Sequence, residues 1–334
     1  MKNKLITIVI PTYNRADYLR EAIDSVLSQT YQDFELLICD NASTDNTPVL
    51  IKNYNDSRIK YYRHQTNIGM QQNWRFALSY PNTPFIALLS DDDLLLPHHI
   101  GKAVNSLQEH SLSSFYSCAT ETFGTREPFI LQPFWLSDLC TVSELKSCNR
   151  YSAWLRGTPV ASPSLVIRRS AFSLIENWRG TSWPACMDFL WWGQLAMAGS
   201  YIIDPEIGAR YRWHESNISH EWYGKKRTSA VEYRYTVREL ANMAFRKGFL
   251  KKQDVIAEAM SWSAREASTL VIALADHDSD PTLRQAAMEI FELRQDLKSN
   301  QASGHTRLAG ILGPWYLGWA DKLDRFIAKW PPRK

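Results

Sequence analysis

The chain has 334 residues, 45% apolar and 22% charged, values ordinary for a soluble globular protein with a sizeable core. Its formal net charge of +3 gives no basic surface of the kind that binds nucleic acid, and no apolar run approaches the ~20 residues that span a bilayer. The five cysteines are odd in number and lack CxxC spacing, which points to buried thiols in a reducing compartment rather than to a disulfide framework or a zinc site.

The opening MKNKLITIVIPTYNR joins a basic start to an apolar run, but the run is short, Pro11 stops it and no small-residue cleavage site follows. It reads as part of the fold rather than a signal peptide. A cytosolic protein is therefore expected, with the sequons at Asn41 and Asn217 as chance matches. Leu5 to Ile10 is continuous and β-branched, the pattern of a strand buried on both faces. Asp17 to Gln29 places Leu19, Ile23, Val26 and Leu27 on one helical face. Phe34 to Cys39 predicts a second strand. Asn46 to Tyr54 predicts a helix capped by Thr44 or Asp45. A short strand at Ile59 to Tyr62, a helix at Met70 to Ser79 and a strand at Phe85 to Leu89 complete the first hundred residues.

This alternation predicts βαβ units, an α/β fold and a mostly parallel sheet flanked by helices. Ligands of such sheets bind beyond the carboxyl ends of the strands. Thr12, Tyr13, Asn14, Asp40, Asn41 and the triplet Asp91 to Asp93 all fall there, so distant segments converge on one edge. From Ser106 to Tyr223 the pattern is mixed, with strands expected at Ser164 to Ile167 and Tyr201 to Ile203 and a helix at Met187 to Ala198. Long helices are expected at Ser229 to Lys247, Gln253 to Leu274 and Thr282 to Leu297. The segment Leu312 to Lys334 places Trp315, Trp319, Leu323, Phe326 and Trp330 at helical spacing among basic residues. It reads either as a helix packed on protein or as one lying on an anionic membrane surface.

Three adjacent carboxylates in LSDDDLLLP can cap a turn, face solvent or hold a hard cation. No Walker A, GxGxxG, GxSxG or HExxH pattern occurs, so phosphate would have to be held another way.

TIVIPTYNRADYLREAIDSVLSQTYQDFELLICDNASTDNT resembles the opening of the family 2 glycosyltransferases, which have the GT-A fold. NIGMQQNW, FIALLSDDDLLLP, MDFLWWGQLAMAG and YRWHESNIS continue the likeness in order, from about Leu5 to Ser219. The resemblance implies a nucleotide-sugar-binding half over 1–105 and an acceptor-binding half over 106–224; the helices expected beyond it form a C-terminal extension over 225–334, outside the likeness. It implies sugar transfer with inversion from a nucleoside diphosphate sugar, a UDP-sugar being favoured, to a glycan or lipid-linked glycan. Mn²⁺ or Mg²⁺ is the implied cofactor. Tyr13 would contact the base, in a loop shaped by Pro11 and Thr12, and Asp40 would hydrogen-bond it. Asn67 and Asn73 would lie near the nucleotide and Asp91 by the ribose. Asp92 would bind the metal, Asp93 would bind a metal-bound water or support Asp92, and His214 would complete the metal site. Ser90 stands where many relatives carry another aspartate. Arg212 could pair with the diphosphate, and Asp188 is the candidate base, although an aspartate opening a helix also reads as its N-cap. Ser162 and Ser164 could touch sugar, and Trp183, Trp191 and Trp192 could stack on one. The implied setting is cell-surface polysaccharide or lipopolysaccharide synthesis at the cytoplasmic face, with peripheral membrane contact through the C-terminal segment. A nucleotidyltransferase and a non-catalytic sugar-nucleotide-binding scaffold are the competing readings.

Overall fold

A computed structural model describes residues 4–131, 143–144, 160–172, 175, 187–217 and 243. The chain divides into two compact units, Met1–Tyr233 and Arg234–Lys334. The helices expected beyond Ser229, the aromatic tail, Trp183, Cys140, Cys148 and Cys186 lie outside the described residues.

The first unit follows the expected alternation. Strand β1 (Ile6–Thr12) leads through α1 (Ala16–Leu27) to β2 (Phe34–Asp40), then α2 (Thr47–Lys52), β3 (Ile59–Arg63), α3 (Met70–Ser79) and β4 (Phe85–Leu88). A two-residue strand β5 (Leu94–Leu95), helix α4 (His99–Glu109) and the long strand β6 (Ser113–Gly124) follow. Strands β7 (Ile130–Leu131), β8 (Ser143–Glu144) and β9 (Val166–Arg168), helices α5 (Arg169–Phe172) and α6 (Met187–Ala198) and strand β10 (Ser200–Trp213) complete it. Among the described residues the strands form one sheet, ordered β3-β2-β1-β4-β9-β6-β10-β5, with β7 beside β6 and β8 beside β10. The strands from β3 to β4 are parallel; β9 turns the sheet antiparallel before β6 and β10 run parallel again.

Every residue of β1 is buried, as a strand covered on both faces requires. Helix α1 packs Leu19, Ala22, Ile23 and Val26, and α4 packs Ile100, Ala103, Val104 and Leu107, into one core with Ile6, Ile8, Ile10 and Leu36. Pro11 does not stop β1, which runs on to Thr12. Parallel strands point alternate residues to opposite neighbours: the Thr12 carbonyl serves the β2 side and the Val9 carbonyl the β4 side. Pro11 faces the β4 side beyond the last paired residue, so its missing N–H breaks no ladder bond. Helix α6 is mostly apolar and buries all but Asp188 and Ala198, Trp191 and Trp192 included, so those tryptophans pack the core rather than face a sugar. Among the described residues no helix is long and apolar enough to cross a membrane.

The register of β10 slips twice between Asp204 and Ala209. There Gly208 passes close over two buried side chains, Cys118 and His99, whose Sγ and Nδ1 lie 3.4 Å apart. A Cβ at Gly208 would fall 2.7 Å from Cys118 Sγ and 2.8 Å from His99 Nδ1. Overpacking of this kind costs about 1–3 kcal/mol, and Gly208→Ala should lose that much in urea unfolding. Unchanged stability would show that β10 can shift to make room.

Candidate active site

At the carboxyl ends of the parallel strands, loops enclose a cleft of about 440 Å³. Two loops are locked together at its rim. Asn14, at a left-handed φ of 53°, accepts the Thr44 N–H with its side-chain oxygen at 2.7 Å, and its own N–H meets Ser43 Oγ at 2.9 Å. Asp45 receives the N–H groups of Ala16 and Thr47, each at 3.0 Å, so it serves the starts of α1 and α2 together. On a third side Asn41 Nδ2 donates to Asn67 Oδ1 at 2.8 Å and Asn41 Oδ1 accepts the Ile68 N–H, holding the loop before α3.

The aspartate triplet lies where the chain leaves β4 in the middle of the sheet and crosses to β5, which pairs with the outer side of β10. This crossing loop brings carboxylates over the strand ends, and the surroundings compensate them unequally. Asp91 accepts Thr12 Oγ1–H at 2.8 Å and Arg15 Nη1 at 3.2 Å. Burial, and then the neighbouring Asp92 charge, push its carboxyl up to about 6, against the pull of Arg15 and Thr12. Asp92 Oδ2 takes Arg15 Nη1 at 2.7 Å and faces His214 Nε2 at 3.1 Å. Asp93 accepts the Arg212 N–H on Oδ1 at 2.8 Å, and burial together with Asp92 raises its carboxyl well above the usual range. Its Oδ2 is buried with no hydrogen-bond partner among the described residues.

The short turn after β10 aims His214. Ser216 Oγ lies 2.8 Å from His214 Nδ1, Tyr18 stacks on the ring at 4.8 Å, and Asn217 accepts the His214 N–H and donates to the Arg212 carbonyl. Across the cleft, α6 presents Asp188. One of its oxygens accepts the Phe189 N–H at 2.7 Å and the other Ser162 Oγ–H at 3.2 Å. Burial raises the Asp188 carboxyl above its ordinary range.

Of the residues expected in a site, Pro11, Thr12, Tyr13, Asn67, Asn73, Asp91, Asp92 and Asp188 line this one cleft. Ser162 lines it too, whereas Ser164 is buried against Ser117 and the Ala161 carbonyl. Asp40 does not line it: Tyr61 OH, the Ser43 N–H and Arg63 hold its buried carboxylate below Asn41. Asp93 sits beneath Asp92 as a backbone support. Arg212 is expected against the diphosphate but does not line the cleft. Its Nε–H donates to the Asp92 carbonyl at 2.8 Å, Nη2 pairs with Glu21 at 2.7 Å, and its guanidinium lies over Tyr18 and Phe123. Position explains this, because β10 pairs β5 at Arg210 and so carries Arg212 along the outer side of the crossing loop. Among the described residues, the guanidinium that does face the cleft is Arg15. Sequence reasoning passed over it, together with Trp74 and Tyr211. A lone arginine 76 residues from its aspartate carries no spacing signal.

The model of glycosyl transferase family 2 matches residues 7–174, half of the chain. The chain belongs to glycosyl transferase family 2. This family 2 chain is 34% identical over 116 residues to WfgD of Escherichia coli, named UDP-Glc:alpha-D-GlcNAc-diphosphoundecaprenol beta-1,3-glucosyltransferase. That match takes in 35% of this chain and 46% of the relative. EpsE of Bacillus subtilis is 28% identical over 180 residues, 52% of this chain and 60% of its own length. The chain thus spans about half of the first relative's length and three fifths of the second's. Among solved structures, the 1–349 portion of S. aureus TarS in complex with UDP-GlcNAc superposes with a TM-score of 0.54 at 18% identity, over 84% of this chain and 81% of that one. The mannosyltransferase PcManGT of Pyrobaculum calidifontis, in complex with GDP-Man and Mn²⁺, gives 0.51 at 16% identity, over 97% of this chain and 85% of that one. At these identities the likeness is one of fold, the GT-A-like α/β fold.

The donor set around Asp92 fits a divalent cation. Its Oδ2 and His214 Nε2 are 3.1 Å apart, close to the ~3.0 Å edge of an octahedron with bonds of ~2.1 Å. The carboxylate oxygen suits Mn²⁺ or Mg²⁺, whereas an imidazole nitrogen is a poor ligand for Mg²⁺ and favours the transition metal of the two. Among the described residues no three His, Cys, Asp or Glu side chains are arranged to hold a metal by themselves. Phosphate oxygens and water would have to supply the remaining ligands.

Arg212 clamps the backbone beneath these donors from a largely buried position, its side chain 14% exposed. Its bond to the Asp92 carbonyl is charge-assisted and its stem packs between rings. Arg212→Ala should therefore destabilise the fold by about 2–3 kcal/mol in urea titration. A loss under half a kcal/mol would show that the crossing loop holds itself.

Proposed function

We propose that the cleft transfers a sugar from a nucleoside diphosphate sugar to a hydroxyl of a glycan or lipid-linked glycan, with inversion and with Asp188 as the base. The observation that carries this reading is that Asp188, from α6, and Asp91 and Asp92, from the crossing loop, line the same cleft. Direct displacement at an anomeric carbon needs those two functions on opposite sides of the sugar. The acceptor hydroxyl attacks, Asp188 accepts its proton, the carbon–oxygen bond to the diphosphate breaks, and the diphosphate leaves with the electron pair.

Raised by burial, Asp188 is better matched to a hydroxyl proton than a solvent-exposed aspartate. Ser162 and the Phe189 N–H fix its orientation. Tyr13, about two-fifths exposed at the cleft mouth, offers a ring to the base, and the amides of Asn41 and Asn67 stand beside it. Asp92 and His214 would hold Mn²⁺ or Mg²⁺. A bound cation neutralises charge growing on the departing diphosphate. UDP is favoured as the nucleotide because WfgD carries UDP-Glc in its name and the TarS structure holds UDP-GlcNAc. The diphosphoundecaprenol acceptor in WfgD's name favours a lipid-linked acceptor and a role in surface polysaccharide or lipopolysaccharide synthesis. Residues 1–105 would carry the donor side and 106–224 the acceptor side, and the extension over 225–334 would make peripheral contact with a membrane.

Asp188→Asn should keep nucleotide binding in calorimetry while transfer falls ~10²-fold or more; transfer at the wild-type rate would remove Asp188 as the base. Asp92→Asn should lose cation-dependent transfer and remain folded by circular dichroism, and normal turnover would overturn the placement of the cation. The pH profile follows from Asp188. A carboxyl raised by burial stays protonated to a higher pH, and the protonated form cannot accept a proton. Activity should therefore fall with decreasing pH through a midpoint above the ordinary ~4 of a carboxylate. An acid limb at or below that value would contradict the assignment.

A further inference from the structure

Among the described residues, the cation that faces the aspartate pair is Arg15. It stands just before α1, 28% exposed at its side chain, and lines the cleft. Its Nη1 reaches Asp91 Oδ1 at 3.2 Å and Asp92 Oδ2 at 2.7 Å, and its Nη2 donates to the Ser216 carbonyl at 3.2 Å. It therefore straps the β1–α1 loop to the crossing loop and to the His214 turn.

A carboxylate oxygen offers two lone-pair positions. At Asp92 Oδ2, Arg15 lies against one and His214 faces the other. A divalent cation shared by that oxygen and His214 would stand beside the Arg15 guanidinium, whose like charge opposes its approach while Arg15 keeps its place. A diphosphate in the cleft changes the balance. Its oxygens give the guanidinium a bidentate partner within reach of the same flexible stem. We propose that Arg15 is the resident counter-cation of Asp91 and Asp92, and that an incoming diphosphate draws it away, so that nucleotide and divalent cation bind cooperatively. This deepens the sugar-nucleotide reading and rests on it. Arg15 is then a positioning residue that keeps the carboxylates charged and in register when the cleft is empty, and the coupling it creates must be reciprocal.

The test measures Mn²⁺ binding by electron paramagnetic resonance, with and without UDP, on wild type, Arg15→Gln and Arg15→Lys, each checked for folding by its melting curve. Wild type should bind Mn²⁺ at least tenfold more tightly when UDP is present. Arg15→Gln should bind Mn²⁺ at least tenfold more tightly than wild type without nucleotide, and UDP should then add little. Arg15→Lys keeps the charge and should remain weak without nucleotide, which keeps the test alive should Arg15→Gln fail to fold: Mn²⁺ binding by the lysine variant as tight without UDP as with it would overturn the proposal. Equal nucleotide-free affinities of Arg15→Gln and wild type would also overturn it, with the cation site itself intact. If UDP-loaded wild type binds no Mn²⁺, the divalent-cation reading fails and the role of Arg15 falls with it.

Discussion

Three consecutive carboxylates over the ends of a buried sheet are a charge problem, and the site is built from the answers to it. Burial disfavours ionisation of Asp91 and Asp93, and each feels Asp92 beside it. The compensation comes from three directions: Arg15 and Thr12 from the end of β1, the Arg212 backbone from β10, and His214 from the turn beyond it. None of these neighbours is close to the aspartates in sequence. The fold must be complete before the cluster is tolerable, which ties the integrity of the cleft to the packing of the sheet.

The strand order makes that convergence possible. Strand β5 pairs with β10 rather than with β4, so the segment between β4 and β5 has to cross the ends of β9, β6 and β10. The aspartates ride on this crossing loop. Asp93, turned inward, fixes the loop to β10 through the Arg212 N–H, while Asp91 and Asp92 remain at the cleft. One short run of identical side chains is thereby divided into an anchor and a working pair.

Much of this was legible in the sequence. The continuous apolar runs at β1, β2 and β4 and the amphipathic spacing of α1 marked an α/β sheet, and the ordered motifs marked the family. The convergence of Thr12, Tyr13 and Asp91 followed from the rule that ligands bind at strand ends. Less visible were the features set by register. Pro11 looks like a strand stop until the β1–β4 pairing shows that its nitrogen faces no partner. Arg212 reads as the phosphate ligand, yet β10 directs it to the back of the crossing loop, while the start of α1 directs Arg15, which has no spacing signal, into the cleft. Trp191 and Trp192 carry the composition of a sugar platform, but a largely apolar α6 buries them. In each case spacing along the chain named the residue type and only the three-dimensional path decided its direction.

The claim that the aspartates, His214 and Arg15 form one exchangeable cation site is most directly tested by diffraction from crystals grown with UDP and Mn²⁺, measured at the manganese edge. The expected result is an anomalous peak bonded to Asp92 Oδ2 and His214 Nε2, with the Arg15 guanidinium moved from Asp92 to the diphosphate. Nucleotide bound in the cleft with the Arg15–Asp92 pair unbroken, and no anomalous density beside His214, would contradict it.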